Sequence, residues 1–194
     1  MIPKVIDLVS RSAVLEINNV DNRSYPEALS RFIKTEIQKE LESLDRDQLK
    51  ADPIIQGFWD LHKSIGLPKR SNTPAPLTLL KLILKRGVLF SIDPVVDLYN
   101  LVSIQSRLAL GAHDIDRIDG DVELKITNGT ERFVPIGANG SAEKIKAGEY
   151  SYVDASNEVI CHLETRQVEK TKVTAGSTHI FYIVQGNEHT SQEY

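Results

Sequence analysis

The stretch "SIDPVVDLYNLVSIQSRL", residues 91–108, reads as a helix with little room for a polar face. Asp93 followed by Pro94 marks its start, a cap oxygen and then a fixed φ. Beyond them Val95, Val96, Leu98, Tyr99, Leu101, Val102, Ile104 and Leu108 cover most of the circumference. Only Asp97, Asn100 and Ser103, at three-residue steps, form a polar stripe. A helix apolar nearly all round is expected to be buried. A buried carboxylate, amide and hydroxyl each need a partner or must be neutralised. The stripe therefore marks these three as candidate pocket residues. The competing reading is a packing network, with Asp97 capping a neighbouring loop and Asn100 bonding strand backbone.

Upstream the pattern is helical. In "SYPE", Ser24 stands three residues ahead of Glu27, a capping-box spacing with a proline in the first turn. Ala28, Leu29, Phe32, Ile33, Ile37, Leu41 and Leu44 follow at helical spacing, which predicts an amphipathic helix over about 25–44. Asp52 and Pro53 start a second helix that Gly66 stops. Thr73 is the expected cap of a third, "PAPLTLLKLILKR", which Gly87 ends. Ahead of all these, "KVIDLV" and "SAVLEIN" alternate enough for one or two short strands.

After about residue 110 the texture changes. The runs "ERFVPI", "EYSYVD", "EVICHLE" and "THIFYIVQG" are short and β-rich, and "TNGTE", "GANGS", "DASNE" and "TAGST" separate them as turns. Helices come first and strands later, so the class is α+β: N-terminal helices packed on a mostly antiparallel sheet or sandwich. At 194 residues one domain is expected, with residues 1–65 a mainly helical extension.

Composition excludes several functions. The single cysteine, Cys161, allows no internal disulfide and no Cys-rich zinc site. The start of the chain lacks the pattern of an export signal and no run is long enough for a bilayer span, so a cytoplasmic protein is expected. A net charge of −4 places any nucleic-acid binding in a local patch. There is no Walker loop, no Gly-x-Gly-x-x-Gly, no His-Glu-x-x-His and no Gly-x-Ser-x-Gly. His62, His113, His162, His179 and His189 lack metal-ligand spacing, so neither a metal nor a cofactor is expected. Cys161 reads as a small core residue, and Phe58 and Trp59 as core rather than base-stacking groups.

The polar features left over cluster around residues 91–108. "GAHDID" follows directly, with His113 and Asp114 as a candidate acid/base pair or a surface turn. In "RQVEKTKVT", Arg166, Lys170 and Lys172 are candidate phosphate contacts, or a solvated face balanced by Glu164 and Glu169. Lys81, Lys85 and Arg86 end a helix, where cations meet the dipole favourably, and Lys85 is a further candidate for phosphate contact. Glu149, after Gly148, is a turn residue or a pocket carboxylate for a substrate ammonium.

"VVDLYNLVS" followed by "LALGAHDIDRIDGDVEL" resembles the tRNA-editing B3/B4 domain of the phenylalanyl-tRNA synthetase β subunit. That domain has a Val-Val-Asp-x-x-Asn-x-Val helix leading to a Pro-Leu-His-Ala-Phe-Asp segment. The chain is closer to the free-standing bacterial proteins built from that domain alone. With them it shares "RSNTPAP", "IDPVVDLYNLVS", "GEYSYVD" and "TRQVEKTKVT", over about residues 65–187. The resemblance implies an α+β domain whose pocket, in the synthetase, hydrolyses the ester of tRNA mischarged with tyrosine. Asp97, Asn100 and Asp114 match the family's residues at those positions. The family's editing histidine falls at Gly111, and His113 stands where the synthetase has phenylalanine. If residues 111–113 are extended, both positions face one side.

The expected function is that of a tRNA-binding, editing-like protein that hydrolyses mischarged aminoacyl-tRNA in trans, with no metal and no covalent nucleophile. Its partner would be a tRNA or aminoacyl-tRNA acceptor end, with no DNA and no membrane. Two rivals stay open. One is a non-enzymatic RNA-binding module, which the lost histidine position favours. The other is a domain binding an amino acid or small metabolite without RNA, which the acidic charge favours.

Overall fold

The computed structural model describes residues 9–68 and 72–191. The expected strand "KVIDLV" falls, but for Val9, outside the described residues. In chain order the elements are β1 (Ser12–Ile17), α1 (Glu27–Ser43), α2 (Arg46–Ala51), α3 (Pro53–Ser64), α4 (Ala75–Arg86), α5 (Pro94–Ser106) and β2 (Ala109–Asp114). A 3₁₀ turn (Ile115–Arg117) leads to β3 (Glu123–Ile126), β4 (Tyr150–Val153), β5 (Val159–His162), β6 (Arg166–Gln167) and β7 (Ile180–Gln185). The fold is α+β.

The strands make two antiparallel sheets. One has the order β1-β7-β2, so its centre is the last strand of the chain. The other, β3-β4-β5-β6, follows chain order. Tyr152, Ile160 and Cys161 of the second sheet pack on Ile183 of the first. A helical core, built from Ile33, Ile37, Ile55, Leu80, Ile83 and Ile104 among others, joins α1 and α3 to α4 and α5. Burying each such side chain contributes about 1.5–3 kcal/mol. Helix α3 also turns Ile54, Phe58 and Leu61 onto Ala109, Tyr150 and Leu163, so it ties the helices to the sheets.

The start signals at Asp52 and Asp93, each an aspartate directly before a proline, and the stop at Gly87 were obeyed. Asp52 accepts from the amides of Ile54 and Ile55, at 2.9 and 3.1 Å, and Asp93 accepts from Val96 N at 2.9 Å. Gly87 ends α4 in the left-handed region, φ 74°, which costs little without a Cβ. The other two expected caps are not formed. Pro26, not Ser24, precedes α1, and Pro74, not Thr73, precedes α4, neither with a side-chain cap bond. In both cases the proline itself occupies the cap position, where it has no side-chain oxygen to offer, whereas in α3 and α5 the proline comes one residue later and leaves the cap to aspartate.

Helix α5 is less enclosed than its composition predicts. It packs on β2, α1 and α4, burying Val95, Leu101 and Ile104. Leu98 and Val102 stay 38 % and 45 % exposed, because no element among the described residues covers that side of the helix. Phe32 is likewise exposed on α1, whereas Ile33 and Ile37 are buried.

Candidate functional site

A cleft of about 400 Å³ opens between α4 and α5 on one side and the sheets on the other. Thr78 and Leu79 of α4, with Tyr99 and Asn100 of α5, form the helical wall. Leu110 and Gly111 of β2, Cys161 of β5 and Gln167 of β6 form the opposite wall, with Arg166 at its margin. Glu164, Tyr152 and Gln185 supply polar atoms to an otherwise largely apolar lining.

The polar lining rests on a buried network. Glu164 Oε2 accepts from His62 Nε2 at 3.0 Å and from the Tyr150 hydroxyl. Gln185 Nε2 donates to that hydroxyl at 3.3 Å, and Tyr152 OH donates to Gln185 Oε1 at 3.1 Å. His62 Nδ1 lies 3.1 Å from the carbonyl of Asn72, itself an acceptor. Both ring nitrogens of His62 thus face acceptors, the arrangement of an imidazolium. Burial alone would lower its pKa, but the hydrogen bond and charge of Glu164 outweigh that and hold it above the usual value. The same environment, burial first and Glu164 second, pushes the Cys161 thiol up to about 12. Cys161 is therefore a thiol at neutral pH, and its Sγ donates to Leu163 O.

Of the polar stripe on α5, one residue lines the cleft. Asn100 does, half-buried and without a hydrogen-bond partner among the described residues. Asp97 is turned the other way: it accepts from Tyr25 OH at 2.7 Å and from Ile92 N at 2.9 Å, tying the residues before α1 and α5 together. Ser103 donates to Leu108 O at 2.6 Å and closes the helix end. At that end Arg107, with φ 63°, sends its guanidinium to Glu40 at 2.6 Å.

Residues 111–113 are extended in β2, so positions 111 and 113 face one side. A Cβ on Gly111 would sit 2.6 Å from Gln167 Nε2 and 3.8 Å from His113 Nε2. The Gln167 amide therefore occupies the space that a side chain at 111 would take, and His113 points toward the same place from beneath. His113 is fully buried, with Nδ1 at 2.9 Å from Thr171 Oγ1 and Nε2 unpartnered. It does not pair with Asp114, which accepts from Ser177 Oγ at 2.5 Å and from Asp116 N at 3.1 Å, capping the 3₁₀ turn. Adjacent residues of a strand point to opposite faces, which is why the pair does not form.

Burial lowers the His113 pKa to about 4, so the ring is neutral at pH 7. The unfolded chain takes up this proton near pH 6.5 and the folded one only near 4. Stability should therefore fall as pH drops through that interval, by about 3 kcal/mol. Urea unfolding at pH 7 and pH 4 should show this loss reduced by that amount in His113→Gln. An equal loss in both proteins would show that His113 does not titrate there.

Glu149 is buried and bonded to His162 Nε2 at 2.8 Å, away from the cleft lining. The cations of the β6 region are paired. Arg166 makes two bonds to Glu143, at 2.6 and 2.8 Å; Lys170 meets Asp119 at 2.7 Å and Asp154 at 2.9 Å; Lys172 pairs with Glu169. Lys85 has no carboxylate partner among the described residues and lies on the far side of α4, outside the cleft. Asp60, Glu188 and His189 bring one ligand atom each within 4.8 Å of one another, all exposed. Among the described residues no helix is long and apolar enough to cross a membrane.

Sequence reasoning passed over His62, Tyr150 and Gln185, and took Glu164 only as a counter-charge. Their spacing along the chain carries no signal, because two sheet strands, the turn after β5 and a helix bring them together.

The chain belongs to the B3/4 domain family, whose profile matches residues 65–193. A search of curated proteins finds no match. Fourteen chains of solved structures match, among them an N-terminal fragment of the phenylalanyl-tRNA synthetase β-subunit from Pyrococcus horikoshii. The two are 15 % identical with a TM-score of 0.47. The alignment covers 94 % of this chain and 41 % of that one.

Proposed function

We propose that the cleft receives the aminoacyl end of a tRNA and hydrolyses its ester in trans, in the cytoplasm. The observation that carries this reading is the cleft itself. It is sized for an amino-acid side chain and a terminal nucleoside, and it carries the Asn100 amide, unpaired among the described residues, and the Gln167 amide beside a buried carboxylate. In the reaction, water adds to the ester carbonyl, the bond to the ribose oxygen breaks, and the proton passes to that oxygen. The products are a free amino acid and an uncharged tRNA end. The Asn100 and Gln167 amides are the donors available to the developing oxyanion. His113 is neutral and, with its proton on Nδ1 toward Thr171 and Nε2 bare, serves as base for a water that takes the place of the Gln167 amide beside Gly111. Asp97, Ser103 and Asp114 support the site through the segments they fasten, Glu149 through His162, and Arg166 meets the RNA backbone from the margin by exchanging Glu143 for a phosphate.

A second reading, an amino-acid-binding domain without an RNA partner, is favoured by the pairing of Arg166, Lys170 and Lys172 with carboxylates. A panel of mischarged tRNAs separates the two. The first reading expects at least one ester to be cleaved well above the buffer rate, with Asn100→Ala lowering that rate about 10²-fold. The second expects no cleavage, with amino-acid binding insensitive to salt.

A further inference from the structure

On the side of α4 away from the cleft lies a larger groove, about 710 Å³, between α2, α3 and α4. Its floor is Trp59 with Leu77 and Leu84. Around it stand Arg46, Lys50, Lys81 and Lys85, against one acid, Asp47. Lys81 and Lys85 are exposed and meet no carboxylate among the described residues, while Lys50 lies 3.8 Å from Asp47. In a chain of net charge −4 this is a concentrated positive patch, and it surrounds the sole tryptophan.

We infer that this groove binds single-stranded RNA, with a base against Trp59 and the phosphates along the lysines. An aromatic floor inside a cationic rim is the combination that holds single strands without sequence readout. Cations already held by carboxylates, as at Lys170 and Lys172, cannot neutralise phosphates without losing those partners. Helix α4 presents Thr78 and Leu79 to the cleft and Leu77, Lys81 and Leu84 to the groove, so one strand crossing it meets both. Two of the three helices forming the groove precede residue 65, in the part of the chain that the family profile does not match. The inference rests on the aminoacyl-tRNA reading for the choice of RNA as the anion, and its test does not use hydrolysis.

Tryptophan fluorescence reports this site alone. The full chain is titrated with an uncharged RNA hairpin ending in a single-stranded CCA. Saturable, salt-sensitive quenching is expected, weakened roughly tenfold or more in Lys81→Glu/Lys85→Glu and little changed in Lys170→Glu/Lys172→Glu. Circular dichroism checks the fold of each variant, and Lys172→Gln alone, which leaves Lys170 with its three carboxylates, is the control if the 170/172 variant does not fold. RNA binding that leaves Trp59 unmoved, or that only the 170/172 variant weakens, overturns the inference. So does quenching by an acidic amphipathic peptide when RNA has no effect, since the groove is then a protein-docking site. Groove binding without ester cleavage would retire the deacylase reading and keep the groove; cleavage untouched by the groove variants, with no RNA at Trp59, would do the reverse.

Discussion

Glu164→Ala is expected to lower the unfolding free energy by about 3–5 kcal/mol. Glu164 and His62 are a buried pair, with side chains 2 % and 1 % exposed, and the carboxylate also accepts from Tyr150. Removing it strands an imidazolium and a phenol hydroxyl away from water. The penalty also has a pH signature. With the folded pKa of His62 raised, the folded protein holds this proton more tightly than the unfolded chain. That contribution is fully present below about pH 6.5 and is lost as pH rises through the folded value. In the variant burial, the largest influence, is opposed only by the bond to the Asn72 carbonyl, which turns the dependence round. The gap between wild type and variant should therefore be wider at pH 5.5 than at pH 8.5, measured by urea denaturation. Equal gaps at the two pH values would mean that His62 is not charged in the folded protein.

The second large effect separates two residues three apart on one helix. Asp97→Ala removes the acceptor of Tyr25 OH and Ile92 N in a site 1 % exposed. A loss of about 2–4 kcal/mol is expected, with the protein that remains folded keeping its cleft. Asn100→Ala should change stability within about 0.5 kcal/mol, because the half-buried amide has no partner to lose. Its effect should fall on ligand binding or turnover. Thermal melts and ligand titrations of both variants would show the split. A destabilising Asn100→Ala with unchanged binding would reverse the assignment of the two residues.

This contrast also shows where the sequence was informative. Asp-Pro pairs and the apolar spacing located α3 and α5, alternation located β1, and β-rich runs between turn signals located β4, β5 and β7, since these signals are local. The polar stripe of α5 was visible too, but not its destinations. A helix surface does not reveal which of its sides meets a loop and which meets an open space. Asp97, Asn100 and Ser103 share a stripe yet serve a loop, a cleft and a helix end. The same limit hid Gln167, whose amide reaches Gly111 only through the pairing of distant strands. Ion pairing was legible only where it is local, as for Lys172 and Glu169: Asp119, Glu143 and Asp154, the partners of Arg166 and Lys170, lie far off in the chain.

The central claim is that the space between α5 and β2 holds an aminoacyl group attached to a terminal adenosine. The direct measurement is a crystal structure of the protein with a 3′-aminoacylamino-3′-deoxyadenosine, whose amide linkage resists hydrolysis. The account predicts the analogue in the cleft, its carbonyl oxygen toward the Asn100 and Gln167 amides and its ammonium on the Glu164 side. Density for the analogue elsewhere, or a Gln167 amide and an empty cleft unchanged at saturating analogue, would contradict it.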